Sequence, residues 1–118
     1  MSFTDAIQSG FSNYANFQGR ALRSEYWFYV LGVFLASLVA TLIDRLVLGY
    51  PVLGTIVSLG TILPSLAVAA RRLHDTDRSG WWQLLLFVPL IGAIVLIVWY
   101  ATAGTPEPNR FGPPRDFV

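Results

Sequence analysis

Three stretches of this chain, residues 26–43, 52–70 and 81–101, contain no Asp, Glu, Lys, Arg or His. At about 18, 19 and 21 residues, each is long enough as a helix to cross a hydrocarbon core of roughly 30 Å. A backbone in lipid must satisfy its own polar groups, so unbroken apolar runs of this length point to helices. Composition agrees, with 54% of residues hydrophobic and 13% charged, against about 25% charged in soluble domains. The expected fold is all-α, an integral membrane protein forming one membrane domain over residues 1–118. Its expected architecture is a three-span transmembrane helical bundle with an N-terminal interfacial amphipathic helix.

In residues 2–23, Phe3, Ile7, Phe11, Tyr14 and Phe17 recur every three or four positions and share one helical face. That face either lies in the membrane interface or packs on the protein's own spans, and Gly19 is the expected break. Span one, 26–43, opens on Tyr26-Trp27 and stops at Asp44-Arg45. Gly32, Ala36 and Ala40 give it a small-residue stripe for close helix approach. Span two, 52–70, carries Gly54, Ser58, Thr61, Ser65 and Ala69 at similar spacing, and Pro64 predicts a kink whose freed carbonyl a neighbouring hydroxyl can satisfy. Span three, 81–101, is bracketed by Trp81-Trp82 and Trp99-Tyr100, with Ser79 as its N-cap. Pro89 and Gly92 bend it or, as the less favoured alternative, fold it into a re-entrant hairpin. Residues 104–118 are rich in Pro, Gly and charge and read as an irregular tail.

Three spans put the termini on opposite faces. Arg20, Arg23, Arg71, Arg72 and Arg78 fall on one side and Arg45, Arg110 and Arg115 on the other, so the N-terminus is expected in the cytoplasm and the C-terminus outside. Residues 1–25 lack the layout of a cleaved signal peptide, so the N-terminus is expected to be retained. A net charge of +1 gives no broad basic field for nucleic acid. The absence of cysteine excludes disulfides, thiolate metal sites and palmitoylation.

Chemistry concentrates in the polar loop at residues 71–80, Arg-Arg-Leu-His-Asp-Thr-Asp-Arg-Ser-Gly. If span two continues beyond Ala70, Arg71, His74, Asp75 and Arg78 share a face, with Asp75 between cations. Glu25 is placed to pair with Arg71, Arg72 or Arg78 and fix the register of the first two spans. Arginine's fork also suits lipid phosphate. A hydrolytic triad of His74, Asp75 and Ser79 is crowded into one loop, and a metal site would rest on one histidine with Asp75 and Asp77, so no catalytic residue, metal or cofactor is assigned.

The segments Gly19-Arg20, Arg23 and Glu25-Tyr26-Trp27, then Arg71–Thr76 and Arg78–Trp82, then Gly104-Thr105-Pro106 with Asn109–Pro113, closely resemble domain-of-unknown-function family 805. The match covers nearly the whole chain in the family's order. Glu107 departs from the glycine common in relatives. The resemblance implies a multi-span helical protein of the bacterial inner membrane. It also implies that Arg20, Arg23, Glu25, Arg71, Arg72, His74, Asp75, Arg78, Asn109 and Arg110 are signature polar positions, and it brings no activity or cofactor. The expected function is a structural or regulatory interaction module. Its partners would be the bilayer, through anionic headgroups at an Arg-rich cytoplasmic rim, a second copy, or another membrane protein. The alternatives are a transporter or channel component gated by His74 and Asp75, and then a membrane enzyme.

Overall fold

The computed structural model describes residues 2–112, which are helical apart from turns and connecting loops and contain no β-strand. Helix α1 spans Phe3–Ser12, α2 Arg23–Ile43, α3 Val52–Asp75 and α4 Ile91–Ala101. A π-helical turn, Asp44–Leu48, extends α2, and a 3₁₀ helix, Gly80–Phe87, precedes α4. Helices α2, with its π extension, and α3 are long and apolar enough to cross a membrane.

The N-terminal helix is shorter than expected. Ser2 caps it by accepting from the Asp5 amide (3.1 Å), and it ends at Asn13, well before Gly19. Asn13 competes with helix continuation by bonding back to the Ser9 carbonyl and receiving Asn16 Nδ2 (3.0 Å). Its aromatic face packs on α2, with Phe3 edge-on to Phe28 and Phe11 against Tyr29. Gly10 and Gly32 permit this approach, since a Cβ at either would run into Tyr29 or Ile7.

Pro64 sits inside α3 and cannot donate to the carbonyl of Gly60, four residues back. The hydroxyl of Tyr14 donates to that oxygen instead (2.9 Å). Tyr29 reaches the next turn, bonding Ser65 Oγ (3.1 Å) and the Thr61 carbonyl (3.4 Å). The proline's missing bond is thus replaced from the segment following α1.

At the far end of the α2–α3 hairpin, Asp44 is buried and accepts from the amides of Leu53 and Gly54 (both 2.9 Å). These are orphan donors of the first turn of α3, and a carboxylate there also meets the positive end of the helix dipole.

Helix α3 continues five residues beyond its expected end at Ala70 and closes at Asp75. The Asp77 amide bonds the His74 carbonyl and the Arg78 amide bonds the Leu73 carbonyl (both 2.9 Å), with Asp77 at φ +60°. This is a Schellman closure with aspartate in the left-handed position. Arg78 therefore leaves the face that carries Arg71, His74 and Asp75.

The third apolar run is not the one continuous helix expected over residues 81–101. At about 2.0 Å per residue the 3₁₀ segment rises about 16 Å, and the 11 residues of α4 rise a similar distance at about 1.5 Å each, half a hydrocarbon core apiece. Between them Val88, Pro89 and Leu90 turn the chain, with Leu90 at φ +64°. Gly92 lies so close to the Leu85 carbonyl that any Cβ would overlap it. Both ends of the hairpin return to the same place. Gly80 abuts Ala70, Trp82 meets Trp99 edge-on at 5.6 Å, and Arg72 bonds the Tyr100 carbonyl (2.9 Å). Consequently the described tail lies at the Arg71 end, not the opposite one. The expected motif's Pro113 and the rest of the tail to Val118 fall outside the described residues.

Candidate functional site

Five segments meet at the C-terminal end of α3: the α1–α2 connection, the start of α2, α3 itself, the end of α4 and the tail. The core beneath them is built from small and aromatic residues. Ala69, Leu73, Leu96 and Tyr100 form one cluster, and Ala21, Tyr29 and Val68 another, bridged by Tyr26. The alanines let the backbones approach closely enough for the long side chains above them to interlock.

Arg20, Glu25, Arg71, Arg72, His74 and Asp75 are all buried there. Asp75 is shared, Oδ1 receiving Arg20 Nε at 2.8 Å and Oδ2 receiving Arg72 Nη1 at 2.5 Å. Glu25 Oε2 accepts from Arg71 Nη1 (2.8 Å) and from Ser9 Oγ (2.6 Å), tying α1, α2 and α3 together. The expected Glu25 pairing is with Arg71 among its three possible partners, whereas Asp75 lies between Arg20 and Arg72 and not between Arg71 and Arg78, the cations of its expected face.

The two arginines on Asp75 also collect backbone carbonyls. Arg20 donates to those of Asp75 (3.2 Å), Thr105, Glu107 (3.0 Å) and Gly112 (3.3 Å). Arg72 donates to those of Ala21 and Tyr100 (both 2.9 Å) and Thr102. A guanidinium offers five donors in a plane, which is why one side chain can staple three separate segments where lysine cannot. Buried charges are tolerable when paired and hydrogen-bonded, and every guanidinium nitrogen of Arg20 and Arg72 donates to the Asp75 carboxylate or to a carbonyl.

The tail is threaded into this knot. The Thr105 amide bonds the Asp75 carbonyl (2.8 Å), and a Cβ at Gly104 would collide with the Asp75 carboxylate. Asn109 Nδ2 donates to the His74 carbonyl (3.0 Å) and Thr105 Oγ1 (2.9 Å), while its Oδ1 accepts from the Phe111 amide (2.9 Å). Phe111 then stacks flat on the His74 ring, centroids 3.9 Å apart. His74 Nδ1 lies 2.8 Å from the Gly19 carbonyl. A carbonyl can only accept, so Nδ1 carries the proton.

Three of the singled-out arginines remain on the surface. Arg23 is exposed and reaches the Ala101 carbonyl (3.4 Å). Arg78 is partly exposed and lies over Trp99 at 4.4 Å. Arg110 pairs with Asp77 at 3.4 Å in an open position. No group of His, Asp and Glu among the described residues has the arrangement of a metal site. Ser79 caps the 3₁₀ helix, accepting from the Trp81 amide (3.3 Å).

Sequence reasoning missed Gly104 and Thr105 as knot residues and Asp44 as a cap. The first two carry no charge to mark them, and Asp44 stands well before the Gly49-Tyr50-Pro51 turn, outside the N-cap position at which sequence signals a cap.

The geometry defines a small helical membrane protein whose spans are locked at one end by a buried arginine–carboxylate knot. Residues 14–113 match the family model described as "Protein of unknown function (DUF805)", and the chain belongs to that family. It is 47% identical over 107 residues to "Inner membrane protein YhaH" of Escherichia coli, covering 86% of this chain and 88% of that one. It is 50% identical over 104 residues to "Inner membrane protein YhaI" of the same organism, covering 85% and 86%. No solved structure matches the chain.

Proposed function

We propose that this protein is an inner-membrane interaction module that meets anionic lipid headgroups through a rim of Arg23, Arg78 and Arg110. In this reading the buried knot is its frame and no catalytic step is assigned. The observation that carries the reading is the division among the arginines. Arg20, Arg71 and Arg72 are spent inside the fold, whereas Arg23, Arg78 and Arg110 stay at the surface, Arg23 beside Trp27, Arg78 over the Trp99 ring and Arg110 over the Phe111 ring. Surface arginines beside tryptophans suit the headgroup layer, where the ring sits at the polar boundary and the fork grips phosphate.

The module crosses the membrane twice, through α2 and α3, while the 3₁₀–α4 hairpin enters and returns and α1 lies near the interface. Arg20, Arg23, Arg71, Arg72, Arg78 and Arg110 lie at the knot end and Arg45 at the other, which supports a cytoplasmic knot. The inner-membrane names of the two relatives support the location. His74 and Asp75 are each held by other segments, which argues against a gating role.

The test is energy transfer from tryptophan to dansyl-labelled phosphatidylglycerol in nanodiscs. Enrichment of the anionic lipid should fall severalfold in the triple variant Arg23→Gln, Arg78→Gln, Arg110→Gln and with added salt. Equal transfer to labelled phosphatidylcholine and phosphatidylglycerol by the unaltered protein would refute the reading.

A further inference from the structure

Beside the knot a cleft of about 420 Å³ opens between the α1–α2 connection, α3 and the 3₁₀ helix. Its apolar walls are Phe17, Leu66, Ala70, Trp81 and Leu84; Ser79 and Gln83, engaged with the Trp81 amide and the Leu66 carbonyl, add uncharged polar lining, and it holds no carboxylate, guanidinium or ammonium group. Phe17, Leu66, Trp81 and Leu84 are all exposed at its mouth, which opens toward the bilayer in the membrane placement proposed above, on which this inference rests. An entrance of this kind admits a molecule from the bilayer.

His74 lies at the closed end and is 7% exposed. Its Nδ1 is committed to the Gly19 carbonyl as a donor, and its ring is clamped by Phe111. The other nitrogen, Nε2, faces the cleft beside Gly80, where an added Cβ would stand 3.6 Å from it. Among the described residues nothing bonds Nε2. With the proton fixed on Nδ1, Nε2 of the neutral ring is an acceptor, so the cleft ends in a lone pair among uncharged, mainly apolar walls. A donating ligand would give this acceptor the hydrogen-bond partner that the described residues do not supply.

The geometry points to a binding site for a lipid phenol, an uncharged aryl-hydroxyl head of the quinol class on an apolar tail, whose hydroxyl donates to His74 Nε2. The aromatic pair Phe17 and Trp81 suits a flat ring. The lack of charge in the lining selects against ionic heads. Ala70 and Gly80, with no side chain beyond Cβ, leave the space next to Nε2. This site is independent of the arginine rim, and the claim is one of binding, with no redox step.

The experiment titrates the full-length protein in nonionic micelles, under argon, with a decyl-tailed benzoquinol. The comparison probes are its quinone, its dimethyl ether, decanol and decanoate, and binding is followed calorimetrically. The quinol should bind about tenfold more tightly than the quinone or the ether, the worth of one donated hydrogen bond. His74→Phe, which keeps a ring against Phe111, should abolish that difference. Leu84→Trp, an exposed position away from the knot, should block the cleft and weaken the quinol about tenfold or more with an unchanged thermal melt, so the claim stays testable if His74→Phe does not fold. Equal binding of quinol and ether, or quinol binding indifferent to Leu84→Trp, overturns the site. Decanol matching the quinol overturns the aryl class, and decanoate exceeding it overturns the uncharged head.

Discussion

Asp75→Ala removes the one carboxylate on which Arg20 and Arg72 converge, leaving two buried guanidinium groups without their counter-ion. Breaking a buried ion pair from one side costs about 3–5 kcal/mol. Here the lower end applies, about 3 kcal/mol, because Arg20 keeps its four carbonyl partners and Arg72 its three. The shared carboxylate sets a second expectation. In a dry core, replacing a whole ion pair by apolar residues is often neutral. Here Asp75 serves two arginines, so Arg20→Met with Asp75→Leu leaves Arg72 as a buried guanidinium without its carboxylate, and the double variant stays about 3 kcal/mol less stable than the parent, the lower end of the cost of breaking a buried pair from one side. Unfolding by rising dodecyl sulfate fraction in mixed micelles, followed by the fluorescence of the four tryptophans, reads both values. The open pair Arg110–Asp77 provides the control, since Arg110→Gln should cost under about 1 kcal/mol. If the double variant is as stable as the parent, Arg72 does not depend on the Asp75 carboxylate and the knot is not the frame described.

Tyr14→Phe should cost about 1–2 kcal/mol by orphaning the Gly60 carbonyl, and markedly less in a Pro64→Ala background where the helix supplies its own donor, a coupling that a double-mutant cycle in the same assay measures. Gly92→Ala should open the 3₁₀–α4 hairpin, because its Cβ overlaps the Leu85 carbonyl; hydrogen exchange over residues 85–95 should rise, and unchanged exchange would count against the close approach. Asp44→Ala removes the acceptor for two first-turn amides of α3 and should cost about 1–2 kcal/mol, with fraying at residues 52–55 visible as faster amide exchange.

The helical class and the two full-length helices were legible because an apolar run of spanning length has few alternatives in lipid. That Asp75 meets cations was legible, but not which: the face shared with Arg71 and Arg78 pointed to those two, whereas its partners are Arg72, one helical turn back, and Arg20 from another segment. The third run misled for a physical reason: hydropathy records that residues 81–101 prefer lipid, not how deep they go. The turn depends on a leucine at positive φ and on one glycine against one carbonyl. The arginines misled differently. In sequence an arginine beside a span reads as a headgroup contact, yet Arg20 and Arg72 lie within the fold because a tail from far along the chain brings carbonyls to them. Nothing local to Arg20 signals Thr105 or Gly112, although the likeness of the separate motifs to one family was a pointer that they meet.

The hairpin and the knot together require the tail to lie on the same face of the membrane as the end of α3, opposite the α2–α3 turn. Single cysteines at Tyr50, Thr76 and Glu107, introduced into a chain with no native cysteine, can be probed with an impermeant thiol reagent in intact cells. Cysteine at position 50 should label from outside, and cysteines at 76 and 107 should label only after the membrane is opened. Labelling of position 107 together with position 50, while 76 stays protected, would mean that residues 81–101 cross the membrane completely and that the knot does not form.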